Sequence, residues 1–324
     1  MKTVTVLIPT YNYAHYIQNA IDSILDSNFP QEEIEIITID DGSTDNTRDV
    51  IGKYTDRVRY IYQENKGKAS ATQVGINESK GKYIFNLDAD DFFLPNKISE
   101  VVKIFEMYPD VVHVGHPAIY WNEVNGSKQT ENIPNDILGK VINGKSLLSY
   151  FYQNNILFGG GSTFAGRADA LKSFTIPQSI DMYIDEFLVL FTANQGNSFL
   201  ISEPLSIWRI HGKNFSANTD KAIRNLSSMK AVRDSILAAD FSPDIKEIYT
   251  LKTKVADIAY KEAIGQKSVS DILDLWIYVA RDINHTKINK LSLIKNYTII
   301  NRTLPVSLLN LLKSIKVKLL KKEE

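Results

Sequence analysis

The sequence predicts an α/β fold, a mostly parallel central sheet flanked by helices and followed by a C-terminal helical extension. Three observations carry that prediction. Short, largely apolar and β-branched runs recur at Val4 to Ile8, Ile34 to Ile39, Val58 to Tyr62 and Tyr83 to Leu87. Segments with helical spacing separate them, the signature of βαβ units whose strands are buried on both faces. From about Asp220 onward strand patterning ceases and helical periodicity takes over.

Between the first two runs, Ile17, Ala20, Ile21, Ile24 and Leu25 share one helical face. Asp45 to Tyr54 reads as a polar connection to the third strand, and Ala69 to Asn77 as a helix leading to the fourth. Beyond residue 91 the pattern changes. Lys97 to Tyr108 reads as a helix, Val111 to Tyr120 as one or two strands, and the polar stretch Asn122 to Gly139, which contains Pro134, as a loop. Ile245 to Ala263 and Ile272 to Ala280 are the clearest helices of the extension. The expected division is one unit over 1–215, with halves 1–91 and 92–215, and an extension over 216–324.

Composition narrows the chemistry. The 324 residues suit about two domains at roughly 150 each. Lys and Arg number 37 against 38 Asp and Glu, so no surplus of cations exists for nucleic acid, and none is expected as a partner. Cysteine is absent, which excludes disulfides, cysteine–zinc sites, iron–sulfur clusters and thiol nucleophiles. Met1 to Pro9 lacks a signal peptide's long apolar run and cleavage site. No stretch reaches the roughly 18 apolar residues of a spanning helix. The expected location is cytoplasmic, or peripheral on the cytoplasmic face of a membrane.

Three motifs sit at strand C-termini, where open α/β sheets bind ligands. Pro9-Thr10-Tyr11-Asn12 ends the first strand; Thr10 and Asn12 suit ligand contact or helix capping. Asp40-Asp41-Gly42-Ser43-Thr44-Asp45 ends the second. One of its adjacent carboxylates suits a base or ribose, and the alternative is a turn with an N-cap. Asp88-Ala89-Asp90-Asp91 closes the fourth. Three carboxylates in four residues are costly without a cation, and a hard divalent ion, Mg2+ or Mn2+, relieves that cost and binds phosphates as well. An acidic surface turn is the plainer reading.

These fragments, with Asn65-Lys66-Gly67 and Gly81-Lys82-Tyr83-Ile84 between them, occur in order at family-like spacing. The chain resembles family 2 of the inverting glycosyltransferases, which have the Rossmann-like GT-A fold. The resemblance is dense over residues 3–95 and thinner to about 214. It implies a nucleotide-sugar half over 1–91 and an acceptor half over 92–215. Pro9, Thr10, Tyr11, Asn12 and Asp41 would lie at the nucleotide, with Thr10 and Asp41 at the base. Asp88 would meet the donor ribose, Asp90 the metal, and Asp91 would lie behind it towards the acceptor. Many members carry an Arg-Asn pair where this chain has Thr72 and Gln73; if that arginine meets phosphate, either Lys68 or Lys66 substitutes for it or the donor contact differs.

In Asp181 to Leu188, the resemblance makes Asp185 the general base, three residues before a leucine; Glu186 is its rival. An acidic pair at a helix N-terminus is also favoured by the helix dipole alone. In Trp208-Arg209-Ile210-His211, family likeness makes His211 a metal or phosphate ligand and Arg209 a structural or phosphate partner. His15, His113, His116 and His285 have no such context.

Two further features stand apart. Gly139 to Ser146 fits G-x-x-x-x-G-K-[ST], but no buried strand is expected before it, so a P-loop is not. Residues 308–322 form a lysine-rich amphipathic pattern that suits either a membrane surface or docking on the protein. The expected function is metal-dependent, inverting transfer from a nucleotide-diphosphate sugar, with UDP the expected nucleotide, to a glycan or lipid-linked acceptor hydroxyl. The alternative is a non-catalytic nucleotide-sugar or glycan-binding module on the same fold. The oligomeric state is not encoded in any motif.

Overall fold

The computed structural model describes residues 2–211 and 221–281. Four strands, β1 (Val4–Thr10), β2 (Ile34–Asp40), β3 (Val58–Tyr62) and β4 (Tyr83–Asn86), pair in parallel in the order β3-β2-β1-β4. Every residue of β1 and β2 is buried, as their apolar runs predict. Side chains alternate across the strand. Val4, Val6 and Ile8 join one apolar cluster with Ile17 and Ile21 of α1 (Ile17–Leu25), whereas Leu7 joins a second cluster on the opposite face. The connection Asp45 to Tyr54 contains a short helix, α2 (Thr47–Gly52). Only Thr47 and Ile51 are buried there, too few for an apolar period to show in the sequence. Next, α3 (Lys68–Glu78) lies so close to the sheet that a Cβ on Gly75 would come within 2.7 Å of Ile39.

After β5 (Phe92–Phe93) and α4 (Lys97–Met107), Val111 to Tyr120 divides into β6 (Val111–Gly115) and β7 (Ala118–Asn122), which enter different sheets. The stretch expected as a loop holds β8 (Lys128–Thr130), paired antiparallel to β7. All three of its residues are exposed and none is apolar, so no strand period announced it. Then follow β9 (Val141–Asn143), α5 (Gly144–Asn154), β10 (Ala165–Arg167), α6 (Ala168–Lys172), α7 (Ile184–Ala193), β11 (Asn197–Leu200) and β12 (Ser206–Ile210). The main sheet continues β4-β10-β6-β11-β9, with β10 antiparallel to both neighbours and β9 antiparallel at the edge. A smaller sheet runs β5-β12-β7-β8.

The extension begins with α8 (Lys221–Ala238), α9 (Pro243–Ala263) and α10 (Val269–Arg281). Ser242 caps α9 by accepting from the Ile245 amide, with proline in the first turn. Val232, Ile236, Ile245, Tyr249 and Val255 share a core with Phe151 of α5 and with Phe187 and Leu190 of α7. The expected boundary near residue 216, His285 and the 308–322 segment lie outside the described residues.

Candidate active site

Chain order reverses direction between β1 and β4, and a crevice opens beyond the C-terminal ends of such a pair. Pro9 lies inside β1 opposite Ile39 and is buried. Thr10 is buried too, and its hydroxyl has no hydrogen-bond partner among the described residues. Tyr11 is exposed beside it. Asn12 adopts φ +59°; its amide donates to Ser43 Oγ and its Oδ1 accepts from the Thr44 amide at 2.8 Å. It ties two strand-end loops together and does not cap α1, whose N-terminus has no side-chain cap. Asp45 provides for α2, accepting from the Thr47 amide.

Asp40 and Asp41 are held differently. Asp40 accepts from the Ser43 amide and the Tyr60 hydroxyl, and is buried in the turn. Asp41 accepts from Gln63 Nε2 at 2.6 Å and from the Lys66 and Gly67 amides, both at 2.8 Å. Three of a carboxylate's roughly four lone-pair sites are thereby filled, leaving one for a ligand. These bonds place Gly67 (φ +88°) directly before Lys68 at the head of α3.

Lys68 is the hinge of the site. Its Nζ lies 2.8 Å from Asp88 Oδ1 and 3.4 Å from Asp185 Oδ1. Burial opposes its charge, but Asp185 and Asp88 outweigh that and raise its pKa. Burial raises the Asp185 carboxyl above the usual range, Lys68 opposes the rise, and Asp88 adds to it. Thr72 and Gln73 do not turn towards a phosphate: Thr72 bonds the Lys68 carbonyl and Gln73 accepts from the Ile176 amide.

Asp185 and Glu186 part company in the first turn of α7. Asp185 faces the crevice and Lys68. Glu186 faces α9, where it accepts from Lys252 at 2.7 Å and from the hydroxyls of Tyr152 and Tyr249. Burial would raise the Glu186 pKa, but Lys252 and the two tyrosines more than offset this and lower it.

Asp90 Oδ2 lies 3.1 Å from His211 Nε2, both largely buried. The His211 ring packs on Tyr16 with centroids 4.3 Å apart. Burial and then Asp88 raise the Asp90 pKa, while His211 opposes. Asp91 is buried, accepting from Ser162 Oγ at 2.6 Å and from the Arg209 amide. Arg209 donates to Asn19, its guanidinium among the rings of Tyr16, Phe92 and Trp121.

Motif reading missed the floor of the crevice. The loop Gly159–Gly160–Gly161–Ser162 runs under Asp185, and a Cβ on Gly161 would stand 3.6 Å from both Asp185 Oδ2 and Trp208. Ser162 Oγ also accepts from the Asp88 amide, and its carbonyl from Lys97 and Ser206. Lys97 is completely buried with its ammonium over Phe93. Three consecutive glycines before a serine were the available signal for this loop; a lysine at a helix start gave none.

Among the described residues no three His, Asp or Glu side chains are grouped to hold a metal unaided. The pair Asp90 and His211 nonetheless fits a hard divalent cation that takes one or two protein ligands and completes its shell with phosphate oxygens and water. His113 and His116 are buried and bonded within the fold, and His15 is exposed.

The family model for glycosyl transferase family 2 matches residues 5–174, and the chain belongs to that family. An uncharacterized glycosyltransferase of Nostoc sp. is 34% identical over 219 residues, which is 65% of this chain and 66% of that protein. Chondroitin synthase of Pasteurella multocida is 41% identical over 105 residues, 32% of this chain and 11% of that one. The matched stretches thus fall short of two thirds of these relatives' length. Among solved structures, Staphylococcus aureus TarS 1–349 in complex with UDP-GlcNAc superposes with a TM-score of 0.63 at 18% identity, over 86% of this chain and 79% of TarS 1–349. The mannosyltransferase PcManGT of Pyrobaculum calidifontis, with GDP-Man and Mn2+, gives 0.54 at 16%, over 91% and 84%. The fold is GT-A.

Proposed function

We propose that the protein transfers a sugar, with inversion, from a nucleotide-diphosphate sugar to a hydroxyl of a glycan or lipid-linked acceptor, Asp185 serving as general base. One observation carries this reading: Asp185, from a distant part of the chain, meets Lys68 and Asp88 in the crevice at the strand ends, while Glu186 faces away. In this reading residues 1–91 bind the donor and 92–215 shape the acceptor side. Thr10, Tyr11 and the remaining lone pair of Asp41 receive the base, and Asp88 the ribose. The nucleotide complexes of TarS and PcManGT support a nucleotide-sugar donor, and UDP is the nucleotide we propose.

The chemistry asked of the chain is modest. Asp185 accepts the acceptor's proton as its oxygen attacks the anomeric carbon. Lys68 favours the ionised form of Asp185 against the burial that raises its pKa, without contributing a proton itself, since its own pKa is raised. Asp90 and His211 would hold Mg2+ or Mn2+, whose charge stabilises the departing diphosphate. No helix among the described residues is long and apolar enough to cross a membrane.

A panel of nucleotide sugars, with and without Mn2+ or Mg2+, tests the proposal by donor hydrolysis and thermal shift. Asp90→Ala should abolish metal-dependent turnover with the fold intact. Asp185→Asn should cut transfer by about a hundredfold or more, the usual worth of a general base, and leave nucleotide affinity unchanged. Wild-type transfer by Asp185→Asn would remove Asp185 from that role.

A further inference from the structure

Consecutive residues on an α-helix project about 100° apart, so whatever grips Glu186 also sets the direction of Asp185. Glu186 is gripped hard. Its side chain is 12% exposed, and its Oε1 receives Lys252 from α9, Tyr249 from α9 and Tyr152 from α5. Lys252 is similarly buried, its ammonium 5.0 Å from the Tyr152 ring and 4.9 Å from that of Tyr249. A second grip comes from α8. The buried Ser228 hydroxyl accepts from the Asp181 and Met182 amides and donates to the Ser179 carbonyl, while Arg224 pairs with Asp181 at 3.0 Å. Two helices of the extension therefore clamp the stretch 179–186 immediately before and at the start of α7.

We propose that Lys252, acting through Glu186, and Ser228 are positioning residues for Asp185, so that the helical extension sets the angle at which the base enters the crevice. The inference rests on Asp185 being the base. A charged, triply bonded carboxylate resists rotation of the first turn far more than apolar packing would, because turning it breaks every bond at once and leaves a buried charge unpaired. On the nucleotide side, Asp41 and Asn12 are held instead by the loops after β3 and β2.

The test uses the full chain, with single-turnover transfer, donor KM, nucleotide affinity by calorimetry and melting temperature read for each variant. Lys252→Met should lower the single-turnover rate about tenfold or more, since a misplacement near 1 Å costs up to about a hundredfold. Donor KM and nucleotide affinity should stay within about twofold of wild type, and Lys252→Arg should restore most of the rate. Tyr249→Phe, which removes one hydroxyl, carries the test should Lys252→Met not fold; its rate should fall with binding unchanged. A wild-type rate in these variants overturns the proposal, and so does an equal loss of rate and nucleotide affinity. Asp185→Asn is run beside them: if it transfers normally the base assignment has failed, whereas an inactive Asp185→Asn with a fully active Lys252→Met condemns the clamp alone.

Discussion

Lys68 shares one ammonium between two carboxylates, and that arrangement has a measurable sign. Asp185 must be ionised to take a proton, and Lys68 lowers a pKa that burial raises. Lys68→Met should therefore move the acid limb of kcat/KM to higher pH; a limb that stays or moves down contradicts the pairing. Another titration concerns stability. Burial lowers the His113 pKa to about 4, although the Gly159 carbonyl bond opposes this. The unfolded chain protonates its histidine near 6.5, so the contribution is complete above that pH and is lost as pH falls towards 4. For His113 it amounts to about 3 kcal/mol. Denaturant titrations across that window should show the loss, and His113→Asn should flatten it. Residues of this kind were unevenly legible. Strand-end aspartates advertise themselves by their crowding, whereas Ser162 and Lys97 act only through contacts with distant parts of the chain.

Elements show the same contrast. The apolar strands β1, β2 and β4 and the amphipathic α1 were readable because burial imposes a period on them. By contrast α2 and β8 bury too little to leave one. The Gly139 to Ser146 motif has a packing explanation. A Cβ on Gly144 would stand 1.8 Å from the Ala193 carbonyl, so this glycine lets α5 start against the end of α7. Among the described residues Lys145 pairs with the exposed Asp240. Gly144→Ala should cost at least about 2 kcal/mol and lower the melting temperature by several degrees. Lys145→Met should change stability by less than about 1 kcal/mol and leave transfer intact, as a surface pair at high dielectric does. A large effect of Lys145→Met on turnover would revive the phosphate-loop reading.

At the scale of the molecule, the helices of the extension are structural partners of the catalytic unit through a shared core. Phe241 meets Phe191 at 5.0 Å, and Tyr249 lies fully buried beneath α5 and α7. Deleting 221–324 should expose that face and give a chain that aggregates or melts far below the full protein, as light scattering would show; a stable, monomeric truncation would contradict this. The helical pattern of the extension was plain in the sequence, but which face of the catalytic unit it would cover was not, because packing partners leave no mark in a single periodicity.

The antiparallel strand β10 also governs when the site is made. β4 has β1 on one side, and its other partner arrives only when Ala165 pairs with Phe85, 80 residues further along the chain. Until then a nascent chain carrying all the strand-end aspartates has an open sheet edge and lacks the glycine floor. Long-range pairing of this kind is slow to form, and an unpaired edge invites association with other chains. Residues 1–91 should therefore be the aggregation-prone stage of synthesis, and the acidic crevice should acquire its final shape only after residues 92–215 have emerged.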